Sequence, residues 1–323
     1  MKKILFIATG GTIACGETAA GLAPEATASQ LLSALPQLKD ICEIAAVQLF
    51  NLDSTNMSPR EWTELATEIQ RCYSDFAGFV VAHGTDTLAY GAAALSCLIQ
   101  GSAKPIVLTG SQLPMGAENS DAPRNLYDAF LTACSGLCGI AVVFSGRIID
   151  GRCARKVHTR DFDAFRSIGR EDIGFVRDGA VTLFEPQNED SAPIFFNRMD
   201  TAVALIKLIP ALSPAILDYA AQNARVLIIE GFGTGGFPDY GGKEFEQKIA
   251  ELTLCGTIVI MTTQVPEGGC DMSLYEVGRE VKKRYRIIEA KGMTTELAVM
   301  KAMWALSFAY SAEDFADLFL REI

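Results

Sequence analysis

The stretch from Met1 to Ala14 constrains the fold more than any other part of the chain. Lys3–Ala8 is an apolar run rich in Ile and Phe, the pattern of a buried strand. It leads directly into Thr9-Gly10-Gly11-Thr12. Two glycines after a strand let the backbone turn sharply and bring the next side chain close to a ligand. Thr12 is thereby expected at the carboxyl end of a strand, where open α/β sheets collect their ligands. A second stretch repeats the design. Phe79–Ala82 is apolar, His83-Gly84-Thr85-Asp86 comes next, and Thr87–Ile99 reads as a helix. Two hydroxyl-bearing turns at strand ends, far apart in sequence, imply one shared site.

Bulk properties exclude several alternatives. A net charge of -11 argues against general nucleic-acid binding, because phosphates demand a basic surface. No apolar run reaches the roughly 18 residues of a spanning helix, so no membrane partner is expected. The apolar run behind the two N-terminal lysines is short and stops at Gly-Gly, which reads as a strand rather than a secretory signal. The nine cysteines are odd in number and include no Cys-x-x-Cys pair, so buried, reduced thiols in a cytoplasmic protein are expected. Cys134 and Cys138 are spaced to share a helix face. With only His83 and His158 as imidazoles, no metal site is expected.

Strands and helices alternate through the first half. Ser29–Leu35 reads as a helix and Glu43–Phe50 as a strand ending in the polar loop Asn51–Asn56. Ser58-Pro59-Arg60-Glu61 is a capping box with Pro at the first helical position, opening a helix to about Tyr73. Strands at Lys104–Leu108 and Gly139–Phe144 flank a helix at Asp121–Ala133. The expected class is α/β: two α/β domains, the larger N-terminal one a mostly parallel sheet flanked by helices. Cys15–Pro24 reads as a mobile loop and candidate lid. Glu185–Asp200 is polar with two prolines, which sets the expected division: residues 1–187, a linker at 188–203, and a smaller C-terminal α/β domain at 204–323. In that second part Ala224–Glu230 and Gly256–Met261 read as strands. Ile216–Gln222, Lys243–Leu252 and Thr294–Tyr310 read as helices.

Amide hydrolysis needs a nucleophile, a proton acceptor and donors for an oxyanion. Thr12 and Thr85 supply hydroxyls. Lys156, within a basic cluster of Arg147, Arg152, Arg155 and Arg160, is the nearest thing to a base. Asp86 offers a carboxylate to a substrate ammonium. Ser54, beside Asp53, and Ser111 offer hydroxyls, and the backbone N–H groups at Gly11 and Gly84 offer an oxyanion site. Taken singly, each is also an ordinary turn, cap or surface residue. A rival motif, Gly231-Phe232-Gly233-Thr234-Gly235-Gly236, fits the dinucleotide fingerprint after a strand. Pro238 and Gly241-Gly242 interrupt the segment where its helix would open, and the next strand ends without an acid for a ribose. A flexible loop or subunit contact is the expectation there.

These residues resemble the bacterial-type L-asparaginases. Ala8-Thr9-Gly10-Gly11-Thr12-Ile13-Ala14 is similar to the family's first signature and Val81-Ala82-His83-Gly84-Thr85-Asp86-Thr87 to its second. Leu52-Asp53-Ser54, Thr109-Gly110-Ser111-Gln112, Arg155-Lys156-Val157-His158-Thr159 and Asp163-Ala164-Phe165 match further. The resemblance implies that Thr12 attacks the side-chain amide and forms a β-aspartyl ester, with Thr85, Lys156 and Asp86 as the activating set. It implies that Asp86 also receives the substrate's α-ammonium and Ser54 its α-carboxylate. L-asparagine as substrate, no cofactor, and a homodimer or homotetramer whose neighbouring subunit completes the site are implied too. The lack of a signal-like segment and Lys291–Glu296 resemble the cytoplasmic type I members, some of which carry a separate regulatory asparagine site that Gln112 would line. The chain departs from the family in having no tyrosine in residues 16–24, where Leu22 or Thr18 would take its place. An amidohydrolase preferring glutamine or a D-amino acid, or a non-catalytic amino-acid-binding protein, shares the same residues.

Overall fold

The computed structural model describes residues 1–18, 21–24, 26–184, 192–239, 241–274 and 282–323, with side chains throughout except at 16–18 and 21–24. By its internal contacts the chain divides into two compact units, residues 1–198 with Ile323, and residues 199–322.

Among the described residues, the first unit forms an eight-stranded sheet. Its order is Ala180–Leu183, Gly174–Arg177, Arg147–Asp150, Gly139–Phe144, Pro105–Thr109, Gly78–Ala82, Lys3–Gly10, Glu43–Leu52. The strands from Gly139–Phe144 to Glu43–Leu52 run parallel, and the rest pair antiparallel. The expected mostly parallel α/β sheet is therefore what forms. The chain leaves Lys3–Gly10 for Glu43–Leu52 on one side, then returns past it to Gly78–Ala82 on the other. Strand order reverses at that point. A crevice opens where connections depart in opposite directions, beyond the carboxyl ends of Lys3–Gly10 and Gly78–Ala82.

Burial explains why the first strand is central. Every residue from Ile4 to Gly10 is buried. Ile4, Phe6 and Ala8 join Val80, Val107 and Val143 in one core with helices Ala28–Ser33 and Ala122–Ala133. The Phe6 and Phe130 rings lie 5.8 Å apart in it. The alternating set Leu5, Ile7, Phe79 and Val81 is equally buried, so both faces are covered. Helix Pro59–Cys72 starts on the expected Ser58–Glu61 capping box, and Leu88–Leu98 buries every residue but Tyr90.

The second unit has a parallel sheet in sequence order: Val203–Lys207, Val226–Gly231, Ile258–Thr263, Ile288–Glu289. Leu227, Ile229, Val259 and Met261 pack with Leu217, Phe245 and Ile249 from helices Ala215–Ala221 and Glu244–Leu254. Thr295–Phe308 and Ala312–Leu320 complete the unit's described helices.

Several local expectations change. Val203–Lys207, Ile288–Glu289 and helix Ala312–Leu320 have no counterpart in the sequence reading, nor does the hairpin Gly174–Arg177/Ala180–Leu183. Cys15–Thr18 and Gly21–Pro24, read as a mobile loop, pair as an antiparallel hairpin. The stand-in for the family's tyrosine, Leu22 or Thr18, falls on side chains outside the described ones, and residues 188–191 of the expected linker lie outside the described residues. Cys134 and Cys138 share no helix face, because the helix ends at Ala133; the Cys134 thiol meets Cys42 instead. The glycines at 231–236 form a closed turn, with Phe232 and Gly236 exchanging hydrogen bonds of 2.7 Å, and the next helix begins only at Glu244. That geometry lacks the helix N-terminus that a dinucleotide fingerprint needs.

Phe130→Ala would empty the space where helix Ala122–Ala133 meets the sheet. It is expected to cost about 3–5 kcal/mol, read as a lowered urea midpoint at unchanged slope.

Candidate active site

Three strand-end turns meet at the crevice because two glycines let their backbones touch. Gly11 has φ of 77°, and a Cβ built there would lie 2.3 Å from the Gly84 Cα. A Cβ on Gly84 would lie 2.6 Å from the Ser54 Oγ. No side chain fits either place. Hydrogen bonds fix the contact. The Thr9 hydroxyl donates to the Ala82 carbonyl at 2.9 Å, and the Thr87 hydroxyl to the Ser54 carbonyl at 2.7 Å. Thr12 and Thr85 each directly follow one glycine of the touching pair.

A lysine reaches the second turn from a separate hairpin. Ala154–Lys156 pairs antiparallel with Phe165–Ser167, and Phe165 packs on Phe144 with ring centroids 5.0 Å apart. The Lys156 Nζ donates to the Thr85 Oγ1 at 2.8 Å and to the Asp86 Oδ1 at 2.7 Å. The Thr85 hydroxyl is buried and donates to the Gln112 Oε1 at 3.4 Å. Gln112 in turn donates from Nε2 to the Asp161 carbonyl at 3.0 Å. The Asp86 side chain is 58% exposed against 18% for Lys156, so the carboxylate stays open to a cation from outside. The structure thus brings Thr85, Asp86 and Lys156 into one hydrogen-bonded set, next to the turn that carries Thr12. Thr12 itself is half-buried.

Other residues singled out from the sequence sit differently. Ser54 is buried against Gly84. Asp53 is exposed and caps the short turn Ser54–Asn56, its Oδ1 accepting from the Thr55 N–H and hydroxyl at 2.8 Å each. The buried Ser111 hydroxyl is turned onto the Leu113 carbonyl of its own loop. The Gly11 N–H is committed to the Leu52 carbonyl at 2.9 Å, so that one donor is not open to an oxyanion. The basic cluster does not act as a unit. Arg147 pairs with Asp163 and Asp172, Arg152 with Asp150, and Lys156 with Thr85 and Asp86.

Sequence reasoning missed the supports. His83 is fully buried, and its Nε2 lies 3.2 Å from the Trp62 Nε1. Indole can only donate, so Nε2 accepts and the proton sits on Nδ1, 2.8 Å from the Gly84 carbonyl. Burial pushes the imidazole down to about 4, so it stays neutral. Asp121 accepts from the Gln112 and Leu113 N–H groups, and the Asn125 Nδ2 donates to the Gly110 carbonyl at 3.0 Å. A histidine between an apolar strand and Gly-Thr was the one visible signal for the His83 support. Gln112 lay in a motif already noted, yet nothing in sequence spacing pointed it at Thr85. Two cavities of about 350 and 360 Å³ flank Arg147. Among the described residues no group of three His, Cys, Asp or Glu side chains is placed to hold a metal ion, and no helix is long and apolar enough to cross a membrane.

The chain is similar to known proteins along most of its length. Residues 3–189 match the family model described as Asparaginase, N-terminal, and residues 202–319 match Glutaminase/Asparaginase C-terminal domain. The chain is 38% identical to an L-asparaginase of Thermococcus kodakarensis over 99% of this chain and 98% of that one. It is 32% identical to one subunit of the glutamyl-tRNA(Gln) amidotransferase of Pyrococcus abyssi, over 99% of this chain and 75% of that one. A solved structure of the thermostable L-asparaginase from Thermococcus kodakarensis superposes with a TM-score of 0.91, at 37% identity, covering 99% of this chain and 97% of the other.

Because His83 is neutral in the fold but titrates near 6.5 when unfolded, the unfolded chain binds more protons between those values. The resulting stability is complete above about pH 6.5, falls as pH drops toward 4 and levels off below, a loss of about 3 kcal/mol. Urea unfolding of the wild type and His83→Gln at pH 7 and pH 4.5 measures it. Over that interval the acid loss is expected to be smaller in the variant by about 2 kcal/mol.

Proposed function

The chain belongs to the asparaginase family of amide hydrolases, and on that premise we propose that it converts L-asparagine to L-aspartate and ammonia through an ester formed on Thr12. The observation that carries this reading is the Lys156 Nζ held at 2.8 Å from Thr85 and 2.7 Å from Asp86, beside the Gly11–Gly84 contact that sets Thr12 at the same crevice.

In this reading the Thr12 oxygen attacks the side-chain carbonyl carbon of asparagine. The hydroxyl proton passes to the site's acceptor and then to the departing nitrogen. Collapse of the tetrahedral oxyanion breaks the C–N bond, releases ammonia and leaves a β-aspartyl ester. A water then attacks the ester carbon, and its proton returns to the Thr12 oxygen as the C–O bond breaks. The substrate's α-ammonium is taken by Asp86, whose exposed carboxylate suits a cation arriving from solvent. That ammonium competes with Lys156 for the carboxylate and leaves Nζ facing Thr85; once Lys156 has lost its own extra proton to solvent, the neutral amine can accept one from the hydroxyl or from a water held by it. Ser54, buried at the same contact, belongs to the α-carboxylate side. In this reading the Gly84 N–H is the oxyanion donor, since the Gly11 N–H already donates to the Leu52 carbonyl. We read the working form as a homodimer or homotetramer; several large apolar side chains of the second unit stand exposed, among them Leu205, Ile209 and Tyr219.

Ammonia release from L-asparagine by the pure protein tests the reading. Thr12→Ala is expected to lower kcat at least about 10³-fold, and Lys156→Met about 10²- to 10⁴-fold. Activity intact in Thr12→Ala removes the mechanism, and a higher kcat/KM on L-glutamine or D-asparagine moves the substrate. Light scattering tests assembly, with a mass of two or four chains expected and a monomer ruling it out.

A further inference from the structure

Lys156 sits on a two-stranded hairpin whose connecting residues, 157–164, need an anchor on the main sheet. We infer that Arg147 and Asp163 are positioning residues, a clip that sets the Lys156 amine against Thr85 and Asp86. The inference rests on the function proposed above.

Arg147 is fixed in the eight-stranded sheet, opposite Phe144 on one side and Phe175 on the other. Its Nε donates to the Asp163 Oδ1 at 3.1 Å and its Nη1 to the Asp172 Oδ2 at 2.6 Å. Arg166 also pairs with Asp163. Asp163 lies two residues before Phe165, the direct strand partner of Lys156. Its own N–H donates to the Asp161 carboxylate at 2.8 Å, and the Val157 N–H returns to the Ala164 carbonyl at 2.8 Å. The connection is therefore a closed loop gripped at two points. Gln112 holds the Asp161 carbonyl from the Thr85 side, and Arg147 holds Asp163 from the sheet side.

The two cavities explain why the clip matters. One is lined by Arg147, Asp163 and Asp172, the other by Arg147, Asp172 and Arg166. Most of the residues lining both are charged or polar, so ion pairs carry much of the hold on this flank of the loop. The base of the hairpin is packed independently through buried Ala164 and Phe165. Losing the clip should thus leave the fold intact while loosening the placement of Lys156. The Arg147–Asp163 pair is more than a third exposed, so it adds little to stability. Catalysis is less forgiving, because a misplacement of about 1 Å in a reacting group can cost about 10²-fold.

The test uses Arg147→Ala, Asp163→Asn, the double variant and Arg147→Lys. For the first two, kcat on L-asparagine is expected to fall about 10- to 100-fold, with KM within about threefold and Tm nearly unchanged. The double variant is expected to be no worse than the poorer single one, and Arg147→Lys to recover most of the loss. Independently of turnover, reductive methylation of Lys156 followed by peptide mass spectrometry is expected to run several-fold faster in Arg147→Ala and Asp163→Asn. Wild-type kcat and wild-type labelling in both single variants overturn the inference. So does a loss that tracks Tm and is equally deep in Arg147→Lys. A wild-type protein that releases no ammonia refutes the proposed function instead, and the labelling rates still decide the clip.

Discussion

Gly11 and Gly84 touch backbone to backbone, and the rest of the crevice depends on that contact. Each closes a turn at the end of a buried parallel strand, and the two strands are neighbours in register, Ala8 opposite Ala82. Side chains at either glycine would force the turns apart by more than the packed core beneath can yield. The reversal of strand order between these strands opens the crevice, and the glycines bring the turns that carry Thr12 and Thr85 into contact beside it. The fully buried strand Ile4–Gly10 gives the turns a rigid footing.

Charge is arranged on that frame with unequal exposure. Lys156 is mostly covered, and its partner Asp86 is mostly open. A cation from solvent can therefore approach the carboxylate without driving the lysine away from Thr85. The neutral His83 beneath the turn adds no competing charge; its two nitrogens hold Trp62 and the Gly84 carbonyl. The layers differ in kind: apolar packing under the strands, hydrogen bonds under the turns, and the Lys156–Asp86 ion pair at the mouth. Such an order suits a reaction that develops negative charge on a carbonyl oxygen in a partly dry site.

The fold was legible where periodicity carries it. Uninterrupted apolar runs followed by Gly-Thr turns marked the central strands and their ligand-facing ends, and Ser58–Glu61 marked a helix start to the residue. Short elements were not legible. Ile288–Glu289 has two residues in its strand, and Gly174–Arg177 exists only through its pairing with neighbours. Within the site, Thr85 and Lys156 were named from the sequence, but their hydrogen bond joins residues 71 positions apart. Spacing cannot aim a long side chain across such a distance. The same limit hid Gln112 behind Thr85 and Asp163 on Arg147, and it credited Gly11 with an N–H that Leu52 already uses.

The central claim is that Thr12 and Thr85 serve one pocket. A crystal structure of the protein soaked with L-aspartate, the product of the proposed reaction, tests it most directly. The account requires both threonine hydroxyls within hydrogen-bond distance of the ligand's side-chain carboxylate, with its ammonium on Asp86. A carboxylate that meets only one of the two hydroxyls, or a ligand bound away from the Gly11–Gly84 contact, would contradict it.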